Sequence, residues 1–202
     1  GGVCGAIFDA AGYDQLQAAC NQIGHCNVGD AVITPGFNLK AKYIIHAVGP
    51  QWSGGNHHEP QLLYNAYRRS LELALENGCH SIGFPLISAG IFGYPIDKAW
   101  RKAIQACQDF QKEHSQDRLD IVFAVITDDA QAQGEKVLKE LSANSTTANQ
   151  LQGLLITVDS GGAYSAHSGK THLDATLAHQ IAWLYVTHRC VTVGGIMTKM
   201  GL

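Results

Sequence analysis

One stretch, SIGFPLISAGIFGYP at residues 81–95, restricts the fold more than any other part of this sequence. Its apolar first half predicts a buried strand that carries Ile82, Phe84, Leu86 and Ile87. Residues 88–94 follow with two glycines, which permit positive φ and a close approach of the backbone to a ligand. Pro95 suits the first turn of the next helix, whose dipole would favour a phosphate nearby. The stretch is therefore either a phosphate-binding loop or an ordinary strand-to-helix turn.

Helical and strand-like segments alternate along residues 1–141. Apolar periodicity predicts helices over residues 13–23, 59–77, 95–114 and 128–141, after a shorter helical spacing that ends at Gly12. Short apolar or β-branched runs predict further strands over residues 30–34, 43–48 and 119–127. This alternation predicts an α/β fold in which helices flank a largely parallel or mixed sheet. Ligands of such sheets bind beyond the carboxyl ends of strands, which is where the 88–94 loop falls.

Composition argues against several classes of function. With 46% hydrophobic and 15% charged residues, the chain is typical of a compact α/β protein. Its net charge of −3 provides neither the basic surface that duplex nucleic acid requires nor a polybasic patch for membranes. No apolar run approaches the roughly 18 residues of a membrane span, and no leader pattern is visible. We therefore expect a cytoplasmic protein whose ligands are small molecules or proteins.

Cysteine and histidine usage predicts neither disulfides nor a metal centre. The six cysteines are scattered without C-x-x-C pairs, so we expect reduced core thiols. Ten histidines are present, but no carboxylate or cysteine completes a ligand set at a standard spacing. His46 lies between apolar residues of a predicted strand and is expected to be a hydrogen-bonded core residue. We predict no metal and no cofactor.

Three motifs together resemble the macrodomain family of ADP-ribose-binding modules. They are GGVCGAIFDAAG, GDAVITPGFNLKAKYIIHAVGPQW and FPLISAGIFGYP, which occur in that order and roughly forty residues apart. The resemblance covers residues 1–141. It implies a three-layer α/β/α fold with a mixed central sheet and a cleft for ADP-ribose. The partner it implies is ADP-ribose itself or an ADP-ribosylated protein.

The resemblance also implies two ligand-binding loops. The first ends the glycine run and wraps the terminal ribose with Gly2, Val3, Cys4, Gly5 and Ile7. The second wraps the diphosphate with Ser88, Ala89, Gly90, Ile91, Phe92, Gly93 and Tyr94. Glycines would let the backbone reach the diphosphate, and Phe92 and Tyr94 could close off the ribose by apolar contact.

Many members of the family hydrolyse bonds at the terminal ribose, either mono-ADP-ribosyl links or the ester of O-acetyl-ADP-ribose. The resemblance implies that a water is activated between the glycine loop and the diphosphate. Several hydrolytic members carry an aspartate where this chain has Cys4. The family's usual downstream histidine or aromatic residue is Phe8 here. The catalytic residue is therefore unknown, and Cys4 is a candidate nucleophile or a packing residue. A non-catalytic reader of ADP-ribose is the alternative.

The two ends of the chain depart from the family pattern. Family members have two strands before the position of residue 1, with an aspartate for adenine and an Asn-Ala-Ala-Asn motif for ribose. The chain begins at Gly1 without methionine, so we expect those strands to be missing. Residues 190–202 faintly resemble the family's opening strand. Such a strand at this end would mean that the domain is rearranged or permuted, or that the chain runs into a second copy.

Residues 142–152 are small and polar, which predicts a linker. Residues 153–202 are expected to form a C-terminal strand-loop-helix extension of unknown role. The extension has a predicted strand at residues 154–158 and the sequence Gly169-Lys170-Thr171, as in a P-loop. A P-loop requires glycine at Tyr164, and Gly162 lies two positions too early. A P-loop-like nucleotide binder that depends on Lys170 is thus a further alternative.

Overall fold

The computed structural model describes residues 8–9, 11–39, 41–125, 127–143 and 153–158. Its helices are α1 (Tyr13–Ile23), α2 (Glu59–Glu76), α3 (Ile96–Glu113) and α4 (Asp128–Ala143). Its strands are β1 (Ala31–Pro35), β2 (Tyr43–Ala47), β3 (Ser81–Phe84), β4 (Asp120–Val125) and β5 (Leu154–Val158). Each of the four helices lies within two residues of its predicted bounds. Most of the helical spacing predicted before Gly12 falls outside the described residues.

The strands form two sheets of different kinds. Strands β1 and β2 pair antiparallel, from Ala31 opposite Ala47 to Pro35 opposite Tyr43. Strands β3, β4 and β5 form a parallel sheet in that order, in which Ile121 of β4 faces Ile82 on one side and Leu154 on the other. The predicted α/β class with mixed strand pairing is therefore confirmed.

Strand β5 confirms the strand predicted at residues 154–158, in the segment that the sequence analysis assigned to the C-terminal extension. It pairs with β4 along its whole length, and Ile156 is buried in the main core. The parallel sheet thus continues beyond residue 141. The linker and the extension remain predictions, because residues 144–152 and 159–202 lie outside the described part of the chain.

Helix α2 joins the two sheets into one body. Its buried face contacts β1, β2 and β3, and its side chains share a core with both sheets. Four aromatic rings form the centre of that core, with centroid separations between 5.1 and 5.9 Å: Tyr67, Phe84, Trp100 and Phe123. Offset and edge-to-face contacts at these separations are favourable in addition to the area they bury.

The antiparallel sheet is covered on its other face by α1. Leu16 and Cys20 of α1 form a second buried cluster with Ile44 of β2 and Val48 just after it, whereas Ile45 and Ala47 belong to the main core. Alternate residues of a strand point to opposite faces, so this sheet lies between two helical layers. The predicted layered α/β/α arrangement is confirmed.

Strand β3 is shorter than predicted. The apolar run suggested that the strand reaches Ile87, but it ends at Phe84. Pro85 has no amide hydrogen and cannot continue the ladder. Beyond the strand, the buried Tyr67 hydroxyl takes the place of a ladder partner. It donates to the Pro85 carbonyl at 3.2 Å and accepts from the Ile87 amide at 2.8 Å. Leu86 and Ile87 are thus not strand residues.

Buried polar groups agree in part with the sequence analysis. Burial raises the pKa of the Cys20 thiol to about 11, and the four cysteines in the described residues are free thiols. His46 Nε2 lies 2.9 Å from the Thr34 hydroxyl, but His46 Nδ1 has no hydrogen-bond partner among the described residues. Burial lowers the pKa of His46 to about 4, so its imidazole is neutral at pH 7.

Within the described part of the chain, no helix is long and apolar enough to cross a membrane.

Gly134 marks a close contact between α4 and α3. A Cβ atom built there would lie 2.6 Å from the Trp100 ring, which is fully buried and donates through Nε1 to the Ala130 carbonyl. The ring cannot withdraw without losing that hydrogen bond.

We expect Gly134→Ala to lower the free energy of unfolding by about 1 kcal/mol or more, because overpacking outweighs the better helix propensity of alanine. Urea denaturation followed by circular dichroism measures the change. The matched control is Ala132→Gly at an exposed position of the same helix, which alters propensity alone. Unchanged or increased stability of Gly134→Ala would show that the contact tolerates a methyl group.

Candidate functional site

The predicted phosphate-binding loop, residues 88–94, connects the parallel sheet to helix α3. It lies just beyond the carboxyl end of β3, and the Tyr67 hydroxyl holds the chain immediately before it. Pro95 is the cap residue that precedes Ile96, one position earlier than the first-turn position predicted for it. The positive end of the α3 dipole therefore lies next to the loop, where it favours an anion.

Two internal hydrogen bonds close the 88–94 loop. The Gly93 amide donates to the Gly90 carbonyl and the Tyr94 amide donates to the Ser88 carbonyl, both at 2.9 Å. Ser88 and Gly93 adopt left-handed conformations, with φ of 66° and 69°. Of the two glycines that permit positive φ, Gly93 adopts it and Gly90 does not, whereas the non-glycine residue Ser88 does.

Consecutive backbone amides of the loop are without acceptors. Among the described residues, no carbonyl or side chain accepts from the amides of Gly90, Ile91 and Phe92. Ser88 Oγ is buried and likewise has no hydrogen-bond partner in the described part of the chain. A Cβ atom at Gly90 would meet nothing within 4 Å, and Ile91 is 98% exposed. Such a run of unpaired amides beside a helix N-terminus has the chemistry of an anion-binding turn.

A second loop, residues 51–58, supports the first. The Trp52 amide donates to the Phe92 carbonyl at 2.9 Å, and the Trp52 ring packs on Tyr94 with centroids 4.7 Å apart. Tyr94 is only 2% exposed, and burial together with the nearby charge of Glu59 raises its pKa to about 12. The Tyr94 ring thus supports the loop from the core and is not an exposed wall for a ligand.

Glu59, the first residue of α2, organises the 51–58 loop. Its carboxylate is 2% exposed and accepts hydrogen bonds from the amides of Ser53 at 3.0 Å, Gly55 at 2.7 Å and His57. Burial by itself raises the pKa of Glu59, but the backbone amides outweigh it and lower the pKa to about 2. Sequence reasoning missed this role, since an acidic residue at a helix start is usually a solvated partner of the dipole. The available signal was the preceding glycine-rich loop, whose glycines expose backbone amides without side-chain bulk.

The remaining predicted site residues fall outside the described part of the chain. These are Gly2, Val3, Cys4, Gly5 and Ile7 of the glycine run, together with Gly169, Lys170 and Thr171 of the extension. The structure thus describes the whole of one predicted loop and none of the other. In the described residues, no group of three or more histidine, cysteine or acidic side chains could hold a metal ion.

Residues 1–103 match the family model of the Macro domain. A macro domain-containing protein of Chlorobaculum tepidum is 50% identical over 109 residues, which are 54% of this chain and 63% of that protein. A protein of Cronobacter sakazakii named O-acetyl-ADP-ribose deacetylase is 49% identical over 120 residues, which are 57% of this chain and 66% of that protein. The chain therefore spans less than two thirds of the length of these relatives.

A solved structure agrees with the sequence matches. The Trypanosoma brucei macrodomain in complex with ADP-ribose superposes with a TM-score of 0.60 at 37% identity. The superposition covers 68% of this chain and 57% of that one. Fold and sequence thus indicate the same family.

The low pKa of Glu59 predicts a specific acid sensitivity. A carboxylate whose pKa is about 2 in the folded state and near 4.5 when unfolded stabilises the fold fully above pH 4.5. That contribution is lost progressively as the pH falls towards 2. We expect the difference in unfolding free energy between the native chain and Glu59→Gln to shrink across this window, measured by urea denaturation at several pH values. A difference that is constant from pH 6 to pH 2.5 would contradict the assignment.

Proposed function

The chain belongs to the Macro domain family, and on that premise we propose that it binds ADP-ribose and hydrolyses ADP-ribosyl or O-acetyl-ADP-ribose esters. The substrate class follows from the relatives: one is named O-acetyl-ADP-ribose deacetylase, and one solved neighbour is an ADP-ribose complex. The ligand would be free ADP-ribose, its acetyl ester or an ADP-ribosylated protein. Because the chain spans only part of these relatives, their activity reaches it as a proposal.

The observation that carries the proposal is that the amides of Gly90, Ile91 and Phe92 have no acceptor among the described residues. A diphosphate needs several donors directed at closely spaced oxygens, and backbone amides supply them without adding a mobile side chain. In our proposal, these amides and the Ser88 hydroxyl hold the diphosphate, and the N-terminus of α3 stabilises its charge. Ala89, Gly93 and Tyr94 complete the loop and shape it.

The terminal ribose is assigned to the glycine run of Gly2, Val3, Cys4, Gly5 and Ile7. This assignment depends on the family resemblance of that motif. Glycines at the start of the run would let its backbone approach the ribose hydroxyls. The 88–94 loop would then bind the diphosphate of the ligand, while the glycine run binds its terminal ribose.

The proposed reaction is attack by a water molecule held between the glycine run and the diphosphate. Attack on the ester carbonyl of O-acetyl-ADP-ribose releases acetate and ADP-ribose. Holding the water and the ester in reacting geometry supplies much of the rate, because an oriented pair reacts as if highly concentrated. No carboxylate occupies the position of Cys4, so orientation by ligand and backbone is the simplest source of catalysis here. A non-catalytic reader would use the same binding loops without turnover.

Gly90→Glu tests the diphosphate site. The substitution places bulk and negative charge in open space beside the unpaired amides, so we expect ADP-ribose affinity to fall by on the order of tenfold or more. Because a Cβ atom at Gly90 lies more than 4 Å from the other described residues, the free energy of unfolding should change by less than about 0.5 kcal/mol. Isothermal titration calorimetry with ADP-ribose measures the affinity.

Gln116→Glu is the matched control for Gly90→Glu. It adds the same charge at an exposed turn beyond the carboxyl end of α3, about 27 Å from the loop along the helix. Equal affinity of all three proteins for ADP-ribose would refute the assignment of residues 88–94 to the diphosphate. Absence of binding by the folded native chain would refute the binding proposal as a whole.

Cys4→Ala tests the proposed source of catalysis. If an oriented water attacks the ester, we expect the variant to hydrolyse O-acetyl-ADP-ribose at a rate within about threefold of the native rate. Acetate release under saturating substrate measures the rate. A loss of a hundredfold or more, with ADP-ribose affinity retained, would instead identify Cys4 as a nucleophile. Binding without acetate release by the native chain would favour the reader.

A further inference from the structure

Glu59 connects the 51–58 loop, which precedes it in the sequence, with the 88–94 loop, which follows it. Its two carboxylate oxygens receive three amide hydrogen bonds, from Ser53, Gly55 and His57, so most of the 51–58 loop is wrapped around one buried group. Hydrogen bonds to a charged acceptor are stronger than neutral ones, and a buried carboxylate that lost them would be costly. The conformation of the 51–58 loop therefore depends on this side chain.

The 51–58 loop in turn contacts the 88–94 loop through Trp52. Gly55 packs against the Trp52 ring so closely that a Cβ atom would lie 2.8 Å from it. Trp52 donates its amide to the Phe92 carbonyl and stacks on Tyr94. The Lys98 ammonium lies over the Trp52 ring, 5.3 Å from its centre. Contacts thus run without interruption from Glu59 to the loop that carries the unpaired amides.

We propose that Glu59 is a positioning residue for ligand binding: its carboxylate sets the conformation of the 88–94 loop through Gly55 and Trp52. The inference rests on the proposed function, since it takes the 88–94 loop as the diphosphate site. Glu59 itself touches no ligand in this account.

The hydrogen-bond pattern explains why the residue is glutamate. Glutamine has one acceptor oxygen, and its amide group would bring a donor against at least one of the three loop amides. Aspartate keeps the charge but is one methylene shorter, so it cannot reach all three donors from the same helix position. Both substitutions should loosen the loop, and glutamine should loosen it more.

Amide hydrogen exchange resolved by NMR tests the inference without any ligand. In Glu59→Gln, we expect the amides of Gly93 and Tyr94 to exchange at least tenfold faster than in the native chain, although these two amides donate to Gly90 and Ser88 and not to Glu59. Because Glu59→Gln also lowers the global stability, the readout is the free energy of opening: Gly93 and Tyr94 should still open at a lower free energy than the amides of β4, which separates a local effect from global unfolding. The control is Glu76→Gln, which removes the same charge from an exposed position of the same helix and should leave Gly93 and Tyr94 unchanged.

Titration with ADP-ribose tests the functional consequence. We expect Glu59→Gln to lower affinity by about tenfold and Glu76→Gln by less than twofold. Faster exchange at Ser53, Gly55 and His57 alone, with Gly93 and Tyr94 unchanged, would overturn the inference, because Glu59 would then order only its own loop. Unchanged ADP-ribose affinity would overturn it as well.

The two proposals fail in distinguishable ways. If the native chain does not bind ADP-ribose, the proposed function fails, whereas the exchange rates still decide whether Glu59 controls the 88–94 loop. If Glu59→Gln does not fold, Glu59→Asp takes its place with a smaller expected increase, about threefold, at Gly93 and Tyr94. Native exchange rates in Glu59→Asp would then overturn the inference.

Discussion

The buried face of helix α2 is the constraint on which the rest of the molecule depends. Apolar burial places α2 against both sheets and brings the Tyr67 hydroxyl into the core. A buried hydroxyl must be hydrogen-bonded to avoid a desolvation cost, and the available partners are the backbone groups that follow β3. Pro85 ends the strand after Phe84, and the same packing that stabilises the core then directs the chain into the 88–94 loop.

The candidate diphosphate site uses dipoles where many anion sites use cations. No lysine or arginine occurs in residues 88–94, and the whole chain carries a net charge of −3. Amides without an acceptor in the described part of the chain and the N-terminus of α3 supply the positive potential. Backbone groups cannot reorient as a lysine side chain does, so affinity depends on how firmly the loop is held. Tyr67 before the loop and Trp52 beside it provide that support, and both are positioned by α2 or by the residue that begins it.

Secondary structure was largely predictable because it depends on local patterns. The period of the apolar residues predicted α1 to α4 to within two residues, and β-branched runs predicted β1, β2 and β4. The strand before the loop was overextended by three residues, because Leu86 and Ile87 are apolar for core packing and not for pairing. Periodicity reports that a side chain is buried, but it does not report whether the backbone amide has a ladder partner.

By itself the sequence determined the family, the α/β class and the loop at residues 88–94, since these depend on motifs and on the alternation of elements along the chain. Only the tertiary structure decided how that loop is held. Trp52 lies about forty residues before the loop, and its contacts with Phe92 and Tyr94, which connect the Glu59 loop to the 88–94 loop, follow from no local pattern. It also decided that Ser88, and not Gly90, takes positive φ, because the closure of the loop selects the residue that must turn.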